Sequence, residues 1–186
     1  MASPSSVTKF AANLDDCVDR NSNGIIDTSS HPSAIYPWGE DECMLWHTEL
    51  PPEPLLQHET GSHGARATAW DGNADSHTGQ GGHVWVGTCM CSEPFVAYAY
   101  ELDGDTGAIE ERVVLDGRRC LLGAAADGTG GIWFFDNSCS TLVRLDSATL
   151  QTTIVDVDCG YGITIDPLGR IWTGGGDATL SSCVSR

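Results

Sequence analysis

Two stretches decide how this chain folds: Cys120-Leu-Leu-Gly-Ala-Ala-Ala-Asp127-Gly-Thr-Gly-Gly-Ile-Trp133-Phe-Phe135 and Cys159-Gly-Tyr-Gly-Ile-Thr-Ile-Asp166-Pro-Leu-Gly-Arg-Ile-Trp172-Thr-Gly174. Cys120 and Cys159, Gly123 and Gly162, Asp127 and Asp166, and Trp133 and Trp172 are each 39 residues apart. Each copy reads as a short apolar run, a cluster of turn residues and a second apolar run, which is strand–turn–strand. A fixed period of about 40 residues built on that unit is the sequence signature of a β-propeller blade. One such unit cannot bury its faces alone, so the repeat predicts stacking neighbours.

Working outward, the first copy continues through Thr141–Asp146, a turn at Ser147–Thr149 and Gln151–Asp156. That makes four strands, the content of one blade. A degenerate copy precedes it: Ala65–Asp71, His83–Gly87, Phe95–Asp103 and Ile109–Leu115. Trp85 and Trp133 are 48 residues apart, so this unit carries insertions. In the last copy, Cys183–Arg186 stands where a third strand should begin, while Ser6–Phe10 matches the pattern of Thr141–Leu145 and Met44–Leu50 reads as a fourth strand. The expected organisation is one all-β domain over 1–186, with an insertion at 11–43 in an N-terminal outer hairpin. Within it lie a degenerate blade at 65–119, a blade at 120–158, and a blade shared between 159–186 and 5–50. Three blade equivalents fall short of the usual four to eight. The expectation is a homodimer closing a six-bladed ring, because a two-fold pair covers both open seams at once. A filament and membership of a longer propeller are the alternatives.

Charge narrows the partners. With 26 acidic against 9 basic residues the formal charge is −17, which argues against nucleic acid and anionic membranes. No segment approaches the ~18 apolar residues of a membrane span. Met1–Ser6 lacks the apolar stretch of a signal peptide, so the expectation is either a mature chain or one expressed from an added Met. Eight cysteines without a CxxC pair point to disulfides in an oxidising compartment, hence a secreted, extracellular or periplasmic protein. The repeat suggests Cys139–Cys159 and Cys91–Cys120, with Cys89 as the alternative partner of Cys120, and puts Cys183 in the place of Cys139.

The strongest local motif is Asp19-Arg-Asn21-Ser-Asn23-Gly24-Ile25-Ile-Asp27, the D-x-N-x-N-G-x-x-D opening of an EF-hand-type calcium loop. Oxygens of Asp19, Asn21 and Asn23 converge on one ion, Gly24 permits the sharp turn, Ile25 offers its carbonyl and Asp27 takes the ninth position. Ser30 stands where the bidentate Glu belongs, so Asp41 or Glu42 is expected to complete the set. A Cys17–Cys43 bridge would staple the insertion and bring both acids to the loop. The expected cofactor is structural Ca2+; the competing reading is an Asx-rich surface turn. Asp71-Gly-Asn73-Ala-Asp75 has the same oxygen spacing but no Gly at its sixth position, and Asp103-Gly-Asp105-Thr-Gly107 reads as a β-turn. Trp85, Trp133 and Trp172 recur at one repeat position, which favours packing between blades over an aromatic ladder for a carbohydrate or small-molecule ligand. Trp38 is expected over the calcium loop.

The run Tyr161-Gly-Ile-Thr-Ile-Asp-Pro-Leu-Gly-Arg-Ile-Trp172 resembles the repeat of virginiamycin B lyase-like propellers, with related patterns in the NHL and SMP-30 groups. The resemblance covers 120–175 well and 65–115 loosely. The calcium loop resembles those of dockerin and thrombospondin repeats. Lyase catalysis in that family uses a histidine and an acid near bound magnesium, yet His31, His47, His58, His63, His77 and His83 all lie outside 120–175. No catalytic residue is therefore assigned. The reading is a calcium-stabilised, self-associating module with a binding or structural role. The alternative, a lyase-like or lactonase-like enzyme, requires acids, a histidine and a metal in the central channel of an assembled ring. A scaffold would keep its metal in the 15–43 insertion and line the axis with small or apolar groups.

Overall fold

The computed structural model describes residues 5–51, 64–72, 81–89, 96–137, 140–157, 160–175 and 183–185. Its regular structure is strand throughout, apart from one 3-10 turn at Leu14–Asp16. A hairpin of β1 (Ser6–Phe10) and β2 (Met44–Glu49) comes first. An antiparallel sheet follows, made of β3 (Gly64–Trp70), β4 (His83–Cys89), β5 (Val96–Asp103) and β6 (Ile109–Asp116) in sequence order. A second four-stranded sheet has β7 (Leu121–Ala126), β8 (Gly131–Asp136), β9 (Thr141–Asp146) and β10 (Thr152–Asp156). A third comprises β11 (Gly162–Ile165), β12 (Ile171–Gly175) and β13 (Cys183–Ser185).

The repeat residues build the turns between first and second strands. Asp127 Oδ1 accepts the N–H groups of Thr129 and Gly131 at 2.8 and 2.9 Å; Asp166 Oδ1 accepts those of Leu168 and Arg170 at 2.9 and 3.0 Å. Gly169 has φ +74°, a left-handed conformation that glycine adopts without strain. The second hairpins repeat as well. Asp103 and Asp146 each accept from the backbone N–H and hydroxyl of a threonine three residues on, Thr106 and Thr149.

Alternation along each strand sorts side chains between two cores. Ala67, Ala69, Trp85 and Ala99 of the first sheet pack with Ile132, Phe134, Val143 and Leu145 of the second. Val86, Tyr98, Tyr100 and Leu102, on the first sheet's other face, pack with Val7, Leu50 and Trp46 of the hairpin region. The hairpin is pinned there by Lys9 Nζ and Trp46 Nε1, which donate to the Gly104 carbonyl at 2.8 and 3.0 Å. First strands are the ones that meet between sheets: β7 packs against β3 and against β11. They can approach because they carry small residues; a Cβ on Gly123 would lie 3.1 Å from Ile163 Cγ2. The outermost strands β6 and β10 are largely exposed.

Within one chain β1–β2 is a separate two-stranded sheet, and the third position beside β12 is held by β13. Gly175 pairs with Cys183 as Asp136 pairs with Thr141, so Cys183 occupies the register position of Thr141, not that of Cys139. The described strands do not close into a ring. Cys120 is bridged to Cys89 and not to Cys91, because Cys89 ends β4 directly across a β-bridge from Cys120. Cys91, Cys139 and Cys159 lie outside the described residues, so the Cys139–Cys159 expectation does too.

Candidate functional site

The Asp19–Asp27 loop is assembled from both ends of the insertion. Cys17 and Cys43 are bridged, and Ala11 N–H donates to the Cys43 carbonyl at 2.8 Å, which closes the base. Arg20 ties the loop to β2 through its guanidinium, which donates to the carbonyls of Asp41 and Met44. Asp19 Oδ2 accepts Gly24 N–H at 2.9 Å, Asn21 Oδ1 accepts Asn23 N–H at 2.9 Å, and Asn23 Oδ1 accepts Ile25 N–H at 2.8 Å. These Asx turns force the chain around Gly24, whose φ is +82°. The amides of Asn21 and Asn23 both donate to Asp27 Oδ2, at 2.8 and 3.0 Å. Asp27 is thus the point on which the loop converges. The Asn21 hydrogen bond, then those from Tyr36 and Asn23, hold its carboxyl below the ordinary range, and Asp27 in turn pushes the Tyr36 phenol up.

Asp41 and Glu42 are brought to the loop as expected, but as braces. Glu42 is 2% exposed; its Oε1 accepts the N–H groups of Arg20 and Asn21 at 2.8 and 3.2 Å, and its Oε2 accepts that of Asp27 at 2.9 Å. Asp41 accepts from Thr28 Oγ1, Ser29 N and Cys43 N at 2.8–3.0 Å. Burial pushes the Asp41 carboxyl up, but the hydrogen bonds from Ser29, Cys43 and Thr28 outweigh it and bring the pKa down to about 2. The oxygens of Asp19, Asn21, Asn23 and Asp27 and the Ile25 carbonyl suit a hard oxygen-seeking cation such as Ca2+. Asp41 and Glu42 already spend their oxygens on backbone donors. Trp38 does not cover the loop: it is 67% exposed and sets its edge on His47, with ring centroids 5.0 Å apart. Tyr36 does that work instead, its hydroxyl donating to Asp27 Oδ1 at 3.0 Å. A cleft of about 500 Å³ lies beside the insertion base, lined by Phe10, Leu14, Thr28 and Asp41 among others.

A second cluster was not expected. Asp71, at the end of β3, accepts His83 N–H on Oδ1 and meets His83 Nδ1 with Oδ2, both at 3.0 Å. His83 Nε2 is 3.2 Å from Glu110 Oε2, and Nδ1 is 3.8 Å from Glu101 Oε1. Burial lowers the His83 pKa, but the Asp71 hydrogen bond and the charges of Glu101, Asp71 and Glu110 raise it further, for a net upward shift. Burial also raises the Glu101 pKa. Asp71 is therefore engaged with His83; Asn73 and Asp75, its partners in the weaker oxygen motif, lie outside the described residues.

The repeat explains why the cluster escaped notice. Strand register equates Asp71, His83 and Glu101 with Asp127, Gly131 and Arg144. In the second sheet Asp127 Oδ2 accepts from Trp133 Nε1 and Arg144 Nε at 3.1 and 3.2 Å; in the third, Asp166 Oδ2 accepts from Trp172 Nε1 at 3.0 Å and from Arg170 Nε. The first sheet keeps the Asp and the Trp but replaces the cationic arginine by His83 and Glu101. The signal lay in His83 at a turn position occupied by Gly131 and Arg170 elsewhere. No protein-family model matches the chain, and no curated protein matches it in sequence.

Proposed function

We propose that this chain is a secreted run of β-propeller blades with a binding or structural role, stabilised by calcium in the Asp19–Asp27 loop and completed by a second copy of itself. The observation that carries the reading is the stacking of successive antiparallel sheets through their first strands, β3, β7 and β11. Those strands carry Gly, Ala, Thr, Leu and Ile almost throughout, as a packed axis requires. Disulfides support an oxidising compartment. A face left uncovered among the described residues supports the second copy. Trp85 and Phe135 are buried at 0% and 1% exposure on the faces where the next sheet packs, whereas the corresponding face of the third sheet leaves Thr164 and Gly174 exposed. An enzyme with its site at the axis is less well supported, because the histidine–acid cluster takes His83, Glu101 and Glu110 from β4, β5 and β6 rather than from the inner strand β3.

Light scattering in calcium tests the assembly. The expected mass is two chains, reduced to one by Thr164→Arg on the exposed face; a one-chain mass for the unaltered protein overturns the proposal. Thermal unfolding tests the ion: Ca2+ should raise the midpoint and Asp19→Ala should abolish the rise. A midpoint identical in Ca2+ and chelator removes calcium from the reading.

A further inference from the structure

We infer that His83, Glu101 and Glu110 form a binding site for a divalent transition-metal ion of the zinc or manganese type, with Asp71 positioning His83. One ligand atom from each of the three lies within 4.8 Å of the other two, the only such group of histidine, cysteine and acidic side chains among the described residues. The 3.2 Å between His83 Nε2 and Glu110 Oε2 fits two atoms bound to one ion at about 2.0–2.2 Å each. The chemistry of the donors selects the metal class. Imidazole suits zinc, and carboxylates with imidazole suit manganese or iron, whereas Ca2+ and Mg2+ prefer oxygen alone.

The support around His83 is that of a held ligand. The Asp71 carboxylate, with its side chain 4% exposed, accepts from Nδ1–H and so leaves the Nε2 lone pair toward Glu110. A carboxylate behind a ligating histidine fixes its tautomer and orientation and raises its basicity. Entry from solvent is open, because the side chains of His83 and Glu110 are 35% and 43% exposed. Three carboxylates, those of Asp71, Glu101 and Glu110, face the one imidazole of His83.

An independent observation points to a missing occupant. Trp85 is completely buried, stands directly opposite Glu101 and shares a sheet face with His83. Its Nε1–H has no hydrogen-bond acceptor among the described residues. In the other two sheets the N–H from this position donates to Asp127 and Asp166, the counterparts of Asp71. Asp71 has instead turned to His83. A buried donor without an acceptor is costly, and a ligand held by this cluster would bring one, as a water on the metal or as a reoriented carboxylate oxygen.

The test is titration calorimetry of the full chain with ZnCl2 after chelator treatment, on the unaltered protein and on Asp19→Ala, His83→Gln, Glu110→Gln and Asp71→Asn. Folding of each is verified by circular dichroism. One zinc per chain is expected, unchanged in Asp19→Ala, weakened more than about 100-fold in His83→Gln and Glu110→Gln, and about 10–100-fold in Asp71→Asn. Glu110 is exposed on an outer strand, so its variant reports even where His83→Gln does not fold. Absence of stoichiometric zinc binding, or binding that survives Glu110→Gln, overturns the inference. Because Asp19→Ala separates the two sites, failure here leaves the calcium reading standing, and the reverse.

Discussion

Glu42 offers the sharpest test of how the insertion is held. Its buried carboxylate accepts three backbone N–H groups, from Arg20, Asn21 and Asp27. A hydrogen bond to a charged group contributes about 1.5–3 kcal/mol. The residues that donate lie near the surface, so water recovers part of what Glu42→Ala removes. Taking about 1 kcal/mol lost per donor gives about 3 kcal/mol, or roughly a hundredfold in the opening equilibrium of the loop. The Cys17–Cys43 bridge confines this opening to the insertion, so the assay is amide hydrogen exchange rather than global unfolding. In chelator, the amides of Arg20, Asn21 and Asp27 should exchange about a hundredfold faster in Glu42→Ala, with the β7–β9 amides unchanged. Glu42→Gln, which keeps the shape and one oxygen, should fall between. If Glu42 were chiefly an ion ligand, the variant would differ from the parent only in Ca2+. Equal exchange of parent and variant in chelator refutes the brace.

Other outcomes follow from the packing and the charges. Gly87→Val places a Cβ 2.8 Å from Leu121 Cβ and 3.0 Å from Phe134 Cδ1, so the two sheets must part; a loss of about 1–3 kcal/mol in urea unfolding is expected, and a neutral result contradicts the close stacking. Reducing Cys89–Cys120, which closes a separation of 31 residues, should cost about 3.5 kcal/mol by loop entropy, read as a lowered midpoint in dithiothreitol that Cys17→Ser/Cys43→Ser does not reproduce. Burial pushes the Asp41 and Asp127 carboxyls up, but hydrogen bonds outweigh it, bringing the Asp41 pKa down to about 2 and holding Asp127, like Asp166, below the ordinary carboxylate range. Their folded pKa values lie under the unfolded value of about 3.9. Their stabilisation is therefore complete above about pH 4 and lost as pH falls toward 2. Melts from pH 6 to 2 should show that decline, and Asp127→Asn should flatten it; an unchanged slope removes Asp127 as a contributor.

Much of the architecture was legible because the repeat is written in turn chemistry and alternation, both local. Asp127 and Asp166 shape their turns with their own side chains, and the strands beside them start and stop within a residue or two of where the pattern placed them. The place of the last unit's third strand, at Cys183, was legible, but its register was not. Its assignment rests on register between β12 and β13, and backbone pairing carries no side-chain signal when one partner is a three-residue strand. The Asx-turned loop from Asp19 to Asp27 was legible because its spacing is local, whereas the hydrogen bonds that Asp41 and Glu42 make to it were not. Proximity made them plausible ligands, but only the folded chain shows three N–H groups already converging on Glu42.

What the sequence by itself determined is the class of structure: all-β, repeated sheets with aspartate turns, disulfide-bonded and strongly acidic. Each of those is set by nearest neighbours along the chain or by composition. What only the tertiary structure decided is which side chains meet across strands. Asp71, His83, Glu101 and Glu110 span 39 residues and four strands. Nothing in their spacing marks them as a group, because sheet register and not sequence distance brings their atoms together. The same holds for Trp85, whose indole N–H lacks an acceptor among the described residues while its counterparts at Trp133 and Trp172 donate to Asp127 and Asp166.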